Sequence, residues 1–190
     1  MTGVQTCALP IWLDSLRELD LGNNALTEPP AGLEELACLR VLSLDGNSLD
    51  SLSLVGWVAP AGLVTLDMSG NGLSRIGESI ATLDSLVRLD ISGNVVHTLP
   101  SLDGLVSLRV FDMADNRLGS LPASVGQLSA LDTLDMRDNE LTDLPLQIVS
   151  LDEIEQVRVA GNALCAPHAT VEAWLVLHAE PDWVSLQNCP

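Results

Sequence analysis

The chain has no lysine and no tyrosine, and it has a single phenylalanine among its 190 residues. Its eight basic residues are all arginine, against 26 Asp and Glu residues, so the net charge is -18. Nucleic acids and anionic lipid surfaces are bound by clustered positive charge, and this balance argues against both as partners. No apolar run approaches the ~20 residues that a membrane-spanning helix requires. The missing lysine and tyrosine suggest a GC-rich gene, which is consistent with a bacterial source.

The sequence also lacks the motifs that carry catalysis or bind metal ions. It contains no glycine-rich phosphate loop, no nucleophile elbow and no zinc motif. His97, His168 and His178 are scattered, and none is accompanied by a cysteine or carboxylate at metal-ligand spacing. We therefore predict that the chain is not an enzyme, needs no cofactor and has no metal site.

What the sequence does contain is a repeat of 22 to 24 residues, each copy marked by an asparagine. Apolar side chains lie five and three residues before each marker and two residues after it. Only Asn23 and Asn188 fall outside the set, so the spacing does not result from an asparagine-rich composition. A fixed period of this size is typical of a solenoid. The markers are Asn24, Asn47, Asn71, Asn94, Asn116, Asn139 and Asn162.

The segment 131–141 shows the pattern in full, as L-x-x-L-x-M-x-x-N-x-L. It resembles the consensus of the leucine-rich repeat family in its typical length class, matched seven times over about residues 13–164. The resemblance implies an α/β fold, namely a right-handed leucine-rich repeat solenoid with a concave parallel β-sheet of seven strands and a small C-terminal helical cap. The residues agree, because apolar alternation with period two predicts a short strand with one buried face. The marker amide can satisfy buried backbone groups at the turn that follows.

We divide the chain into three parts. Residues 1–11 carry no charge and no leucine spacing, and they resemble a translated sequencing adapter. We interpret them as a non-native leader to be left out of fold reasoning, with a short native leader as the alternative. Residues 12–164 form the predicted leucine-rich repeat solenoid, and residues 165–190 form the predicted cap. On this interpretation the native N-terminus is missing.

The predicted cap resembles that of extracellular leucine-rich repeat proteins. Cys165 directly follows the last repeat, a helical segment containing Trp174 comes next, and Cys189 closes the segment. The resemblance implies a Cys165–Cys189 disulfide, which would stabilise the fold by about 3 kcal/mol in the chain-entropy model. It also implies an oxidising compartment and an extracellular or cell-surface location. Two free thiols in a cytoplasmic protein are the alternative. Thr170 is the predicted N-cap of the helix, and Pro181 is predicted to end it.

The residues that flank each buried strand position point to solvent on the concave side of the sheet. Neighbouring strands lie ~4.8 Å apart, so equivalent residues form columns. We define the concave face as three such columns. The middle column is a negative stripe that arginines interrupt toward the C-terminal half. The first column is Glu18, Val41, Thr65, Arg88, Val110, Thr133 and Gln156; the middle is Asp20, Ser43, Asp67, Asp90, Asp112, Asp135 and Arg158; the third is Gly22, Asp45, Ser69, Ser92, Ala114, Arg137 and Ala160.

From these columns we predict a monomeric, non-catalytic protein–protein interaction module that binds its partner on the acidic concave face. The stripe suggests a basic partner protein, whose approach the charge would steer. An alternative is that aspartate serves the turn and solubility at this position. Two further alternatives are an intracellular scaffold or regulator truncated at its N-terminus, and the recognition arm of a larger enzyme. The predicted partner-binding residues are Asp67, Arg88, Asp90, Asp112, Asp135 and Arg137.

Overall fold

The computed structural model describes residues 15–50 and 58–189, and the leader at residues 1–11 lies outside this range. Within it, seven three-residue strands form one parallel sheet in the order of the sequence. The predicted solenoid with a parallel sheet and a C-terminal helix is confirmed. The strands are β1 (Glu18–Asp20), β2 (Val41–Ser43), β3 (Thr65–Asp67), β4 (Arg88–Asp90), β5 (Val110–Asp112), β6 (Thr133–Asp135) and β7 (Gln156–Arg158).

The central residue of each strand faces the core, and the strands pair without any slip in register. Leu66, Leu89, Phe111 and Leu134 occupy this position and are almost completely buried. Leu89 pairs with Leu66 on one side and with Phe111 on the other. A register slip of one residue would turn these side chains outward, so burial fixes the alignment of every column.

Short segments connect one strand to the next, and among the described residues four of these segments contain a 3₁₀ helix. The buried side chains Ile80, Val125 and Ile148 of three of them pack into the core. Pro122 and Pro145 start two of the helices in an extended conformation, which suits the restricted φ of proline. The 3₁₀ helices are Leu33–Glu35, Glu78–Thr82, Ala123–Gln127 and Leu146–Ser150.

Neighbouring return segments approach each other so closely that two positions require glycine. A Cβ atom added at Gly104 would lie 1.6 Å from the carbonyl oxygen of Ala81. One added at Gly126 would lie 2.1 Å from the carbonyl oxygen of Gln147. Because the obstructing atoms belong to the backbone, a rotamer change cannot relieve either clash.

The residue before each marker asparagine has a left-handed backbone conformation, with φ between 52° and 73°. Only Gly, Asp or Asn occupies this position, and these are the residue types that tolerate positive φ. The turn reverses the chain directly after the strand and points the marker side chain inward. The seven residues are Asn23, Gly46, Gly70, Gly93, Asp115, Asp138 and Gly161.

The marker amides form a ladder of hydrogen bonds between repeats. Asn116 is buried, and its Nδ2 donates to the carbonyls of Met113 and Ala114 in its own turn and to that of Ile91 in the preceding repeat, at 2.9–3.1 Å. Its Oδ1 accepts from the N–H of Val96 at 2.9 Å. One side chain therefore satisfies four backbone groups and joins two repeats.

The cap extends this ladder by one further rung, which a glutamine supplies. The Oε1 of Gln187 accepts from the N–H of Leu164 at 3.2 Å, and its Nε2 donates to the carbonyl of Val159 at 3.1 Å. These groups correspond to the two that each marker satisfies in the repeat before its own. Gln187 thus takes the place of an eighth marker, one that the asparagine spacing did not predict.

Helix α1 (Ala169–His178) lies over the last repeat. The indole nitrogen of Trp174 donates to the carbonyl of Leu151 at 3.1 Å, which anchors the buried face of the helix. Cys165 and Cys189 form a disulfide that ties the two ends of the cap together, with their Cα atoms 5.6 Å apart. Among the described residues, no helix has the length and apolar character needed to cross a membrane.

The predicted N-cap at Thr170 is wrong. The helix begins at Ala169 with His168 as its N-cap, and the Nδ1 of His168 accepts from the N–H of Thr170 at 3.3 Å. The imidazole acceptor therefore starts the helix two residues earlier than the hydroxyl would have done. The helix ends at His178, before Pro181.

Replacing Gly104 with alanine should lower the free energy of unfolding by about 1–3 kcal/mol, because the methyl group meets a backbone carbonyl. Gly119→Ala is the matched control, since an added Cβ there has no neighbour within 4 Å. Urea unfolding followed by circular dichroism measures both variants. Equal stability of the two variants would contradict the close approach.

Replacing Gln187 with alanine should leave the Leu164 N–H and the Val159 carbonyl without their partner, at a cost of about 1–3 kcal/mol. Hydrogen exchange should show faster exchange of the Leu164 amide. Gln127→Ala, at an exposed position in a return segment, should leave that amide unchanged. If both variants protected Leu164 equally, Gln187 would not be a rung of the ladder.

Candidate protein-binding face

The register of the sheet brings the predicted partner-binding residues onto one face. Asp67 pairs with Asp90, Asp90 with Asp112, and Asp112 with Asp135 across strands β3 to β6. Arg88 lies two residues before Asp90, on the same side of β4. The face is therefore contiguous. Five of the six residues lie on short, paired strands, and Arg137 lies two residues after the end of β6.

Aspartates of the middle column have a structural role in addition to their charge. The Oδ1 of Asp67 accepts from the N–H and the hydroxyl of Ser69, at 2.9 and 2.7 Å. The Oδ1 of Asp112 accepts from the N–H of Ala114 at 3.0 Å. In both carboxylates the Oδ2 atom receives no hydrogen bond from the described part of the chain. The turn-forming role that the sequence left open is real, and it leaves one oxygen of each carboxylate available.

The C-terminal part of the column is neutralised by arginines. Asp135 is only 1% exposed and lies between two guanidinium groups. Arg137 donates to it from Nε and Nη2, with a shortest distance of 2.7 Å, and Arg158 donates from Nη1 at 3.1 Å. Arg88 and Asp90 form a similar pair at 3.0 Å, and Asp90 is also buried. The face is therefore less uniformly negative than the sequence suggests.

Neighbouring aspartates have pKa values shifted in opposite directions. Burial raises the pKa of Asp112 above its ordinary value of 3.8, and the charges of Asp90 and Asp135 raise it further, against the lowering effect of its backbone hydrogen bond. Burial also acts to raise the pKa of Asp135, but hydrogen bonds from Arg137 and Arg158 outweigh it and lower the value. The hydrogen bond to Asp135 raises the pKa of Arg137 in turn.

The six predicted residues thus divide into two groups. Asp67, Arg88, Asp112 and Arg137 are exposed or half-buried and can contact a partner, whereas Asp90 and Asp135 are buried beneath arginines. Sequence reasoning did not include Arg158 among the contact residues, although it belongs to the middle column. The repeat register places Arg158 on the face, but its contact with Asp135 depends on side-chain conformation and cannot be predicted from the register.

A groove of about 520 Å³ lies where the concave face meets the cap. Its lining includes Arg137 and Arg158 from the face and His178, Glu180 and Leu186 from the cap. The groove is open to solvent at the C-terminal end of the arginine-rich region. It was not predicted from the sequence, because it depends on how the cap docks onto β7.

Glu180 seals the open edge of β7. Its carboxylate accepts from the N–H groups of Val159 and Ala160 at 2.8–3.1 Å, and its own N–H donates to the carbonyl of Val157 at 3.2 Å. The Val159 N–H is a group that a further strand would have paired, whereas the Ala160 N–H corresponds to one that an aspartate of the middle column accepts in other repeats. The carboxylate of Glu180 thus points to backbone N–H groups and not to the arginines that line the groove.

No group of three or more His, Cys, Asp or Glu residues within 15–50 and 58–189 is arranged to hold a metal ion. The face presents carboxylates in a row, with guanidinium groups at one end. This arrangement is suited to recognition of charged side chains by complementarity.

Replacing Asp135 with asparagine should lower the free energy of unfolding at pH 7 by about 1–2 kcal/mol, since charged hydrogen bonds are lost. Replacing Asp112 in the same way should raise it, because asparagine keeps the acceptor and removes a disfavoured charge. A lowered pKa gives stability that is lost as pH falls through the folded-state value, and a raised pKa has the opposite effect.

The difference in free energy of unfolding between each variant and the unchanged protein should therefore become smaller between pH 7 and pH 3. Urea unfolding curves recorded at each pH measure it. Changes of the same sign in the two variants would contradict the assigned surroundings of these carboxylates.

Two sequence models described as leucine rich repeat match residues 61–118 and 15–36. The calmodulin-binding receptor kinase CaMRLK of Arabidopsis thaliana is 36% identical over 107 residues, which are 52% of this chain and 16% of the relative. Human vasorin is 34% identical over 125 residues, which are 64% of this chain and 18% of the relative. Toll-like receptor 9 of Felis catus is 42% identical over 94 residues, which are 44% of this chain and 9% of the relative. The chain thus spans less than a fifth of the length of these relatives.

Two solved structures with a similar fold come from bacteria. A leucine-rich repeat protein of Leptospira interrogans has a TM-score of 0.60 at 23% identity, and the match covers 94% of this chain and 49% of that one. InlP of Listeria monocytogenes has a TM-score of 0.62 at 22% identity, with coverage of 76% and 40%. These family matches are consistent with a protein–protein interaction module. Together with the repeated register and the asparagine ladder, they show that the chain contains leucine-rich repeats.

Proposed function

We propose that this leucine-rich repeat protein is a non-catalytic interaction module that binds a basic partner protein on its acidic concave face. The observation that carries the proposal is the in-register column of aspartates on the open side of the sheet. Its exposed members, Asp67 and Asp112, can face cationic side chains of a partner. The protein's net charge of -18 has the same sign as this column, so it would steer a basic partner toward the protein.

The carboxylates of this column are already oriented before binding. Each is held by a hydrogen bond from the backbone two residues later, as Ser69 does for Asp67 and Ala114 for Asp112. Side chains that are ordered in advance lose less conformational entropy in a complex. The paired strands that carry these side chains also limit the conformational entropy lost on binding.

An extracellular or cell-surface location is part of the proposal. The Cys165–Cys189 disulfide supports it, because disulfides persist mainly in oxidising compartments. Relatives whose names describe a receptor kinase and a Toll-like receptor support it as well. We further propose that the protein is monomeric and that residues 12–164 and 165–190 are the solenoid and its cap.

A second candidate is that the repeats are the recognition arm of a larger enzyme. Two similarities favour it, namely the matches to 16% and to 6% of the length of two proteins named as kinases. Long-read sequencing of the native gene upstream of Trp12 decides the matter. A catalytic domain encoded in frame would establish the second candidate, and a secretion signal would support the first.

The proposal predicts that peptides selected by the protein from a random display library are rich in Lys and Arg. The double replacement Asp67→Asn and Asp112→Asn should weaken the best peptide about tenfold at low salt, as expected for two charge contacts. Asparagine keeps the oxygen that accepts the backbone hydrogen bond, so the turns persist. Isothermal titration calorimetry measures the affinity.

The matched control replaces Asp103 and Asp152, two exposed aspartates of the return segments, with asparagine. Its net charge equals that of the concave variant, so it corrects for general attraction. Equal weakening in both variants would exclude the concave face as the binding site.

A further inference from the structure

We propose that the groove between the concave face and the cap accepts a carboxylate side chain of the bound protein, beside Arg137 and Arg158. The inference rests on the proposed function and deepens it, since it assigns a second type of contact to the same face. The expected ligand is an acidic residue that lies next to an apolar residue in a partner segment.

The first observation is that guanidinium donors outnumber carboxylate acceptors at this end of the face. Two guanidinium groups share one carboxylate, that of Asp135. The remaining partner of Arg158 is the neutral side chain of Gln156, at 3.0 Å. The described residues thus leave these two arginines with fewer ionic partners than they have N–H donors.

The two acidic side chains that line the groove do not pair with these arginines in the described residues. Glu180 directs its carboxylate to the N–H groups of Val159 and Ala160. Glu155 is exposed at the rim and forms no ion pair with Arg137 or Arg158 in the described part of the chain. His178 is turned toward the carbonyl of Ile154, at 3.1 Å.

The arginines also have surface available for a ligand. The side chains of Arg137 and Arg158 are 43% and 40% exposed, although each donates to a buried acceptor. A guanidinium group carries five N–H donors in a plane, so hydrogen bonds to Asp135 leave further donors for a second carboxylate. Charge-assisted bonds of this type are the stronger ones in proteins.

The groove also has an apolar lining, to which the cap contributes. Ala179, Pro181 and the 45% exposed Leu186 are the apolar cap residues that line it. A second depression of about 570 Å³ shares Ala179, Glu180 and Pro181 with the groove and adds the exposed Val176 and Val184. A partner residue next to the acidic one would therefore meet an apolar surface.

Two contact types of opposite charge also orient the partner. Basic side chains are placed over Asp67 and Asp112, and an acidic side chain is placed at the C-terminal end. A reversed partner would bring its acidic residue to the aspartates, where like charges repel. The arrangement thus selects one direction of binding along the solenoid.

The test uses the acetylated and amidated peptide Glu-Leu-Leu as probe, with Gln-Leu-Leu as its uncharged match. Titrations are followed through the arginine Nε–H resonances, which are few because the chain has eight arginines and no lysine. We expect saturable shifts of the Arg137 and Arg158 signals with Glu-Leu-Leu and at least fivefold weaker binding of Gln-Leu-Leu. Arg158→Gln should reduce the affinity at least fivefold.

Arg109→Gln is the control, since Arg109 is also exposed and also contacts an aspartate, Asp132, at 2.8 Å. It should bind the probe as the unchanged protein does. Equal binding of the two peptides, equal effects of the two arginine variants, or no saturation would each overturn the proposal. The probe has no cation, so these outcomes are independent of the Asp67 and Asp112 result that tests the proposed function.

Discussion

The hydrogen bonds of one buried amide side chain per repeat are the constraint on which the rest of the structure depends. Each strand is followed by a left-handed turn that leaves backbone donors and acceptors inside the solenoid, away from water. Asn116 satisfies these groups in its own turn and in the preceding repeat. Because the bonds cross between repeats, they fix the stacking of neighbours as well as the turn. The stacking sets the register of the strands, and the register places Asp67, Asp90 and Asp112 side by side.

The parts of the structure that the sequence predicts well are those governed by the period. The marker spacing, the alternation of buried and exposed strand residues and the three columns all follow from the repeat itself. Pairings between long side chains could not be predicted in this way, because they depend on rotamers. Asp135 occupies the same position as Asp112, yet it is enclosed by Arg137 and Arg158. The repeat pattern does not predict Gln187, because the marker residue is asparagine, although the side-chain amide group is the same.

The opposite behaviour of two adjacent aspartates shows that a column of like residues need not be a uniform surface. Burial and the charges of its neighbours disfavour the ionised form of Asp112, and its pKa is raised. Asp135 remains ionised because two arginines donate to it, and its pKa is lowered. The negative potential of the face is therefore carried mainly by its N-terminal and central aspartates, while the C-terminal end is balanced by guanidinium groups.

The way in which the cap closes the solenoid explains why this end differs from the rest. An additional repeat would have covered β7 with another strand. Instead, Glu180 supplies its carboxylate to the N–H groups of Val159 and Ala160, directly after β7, and Gln187 supplies the last amide of the ladder. Glu180 bonds to the backbone and forms no ion pair with Arg137 or Arg158 in the described residues, and the docked cap leaves a groove beside them. Closure of the fold and the groove beside the two arginines thus have the same structural origin.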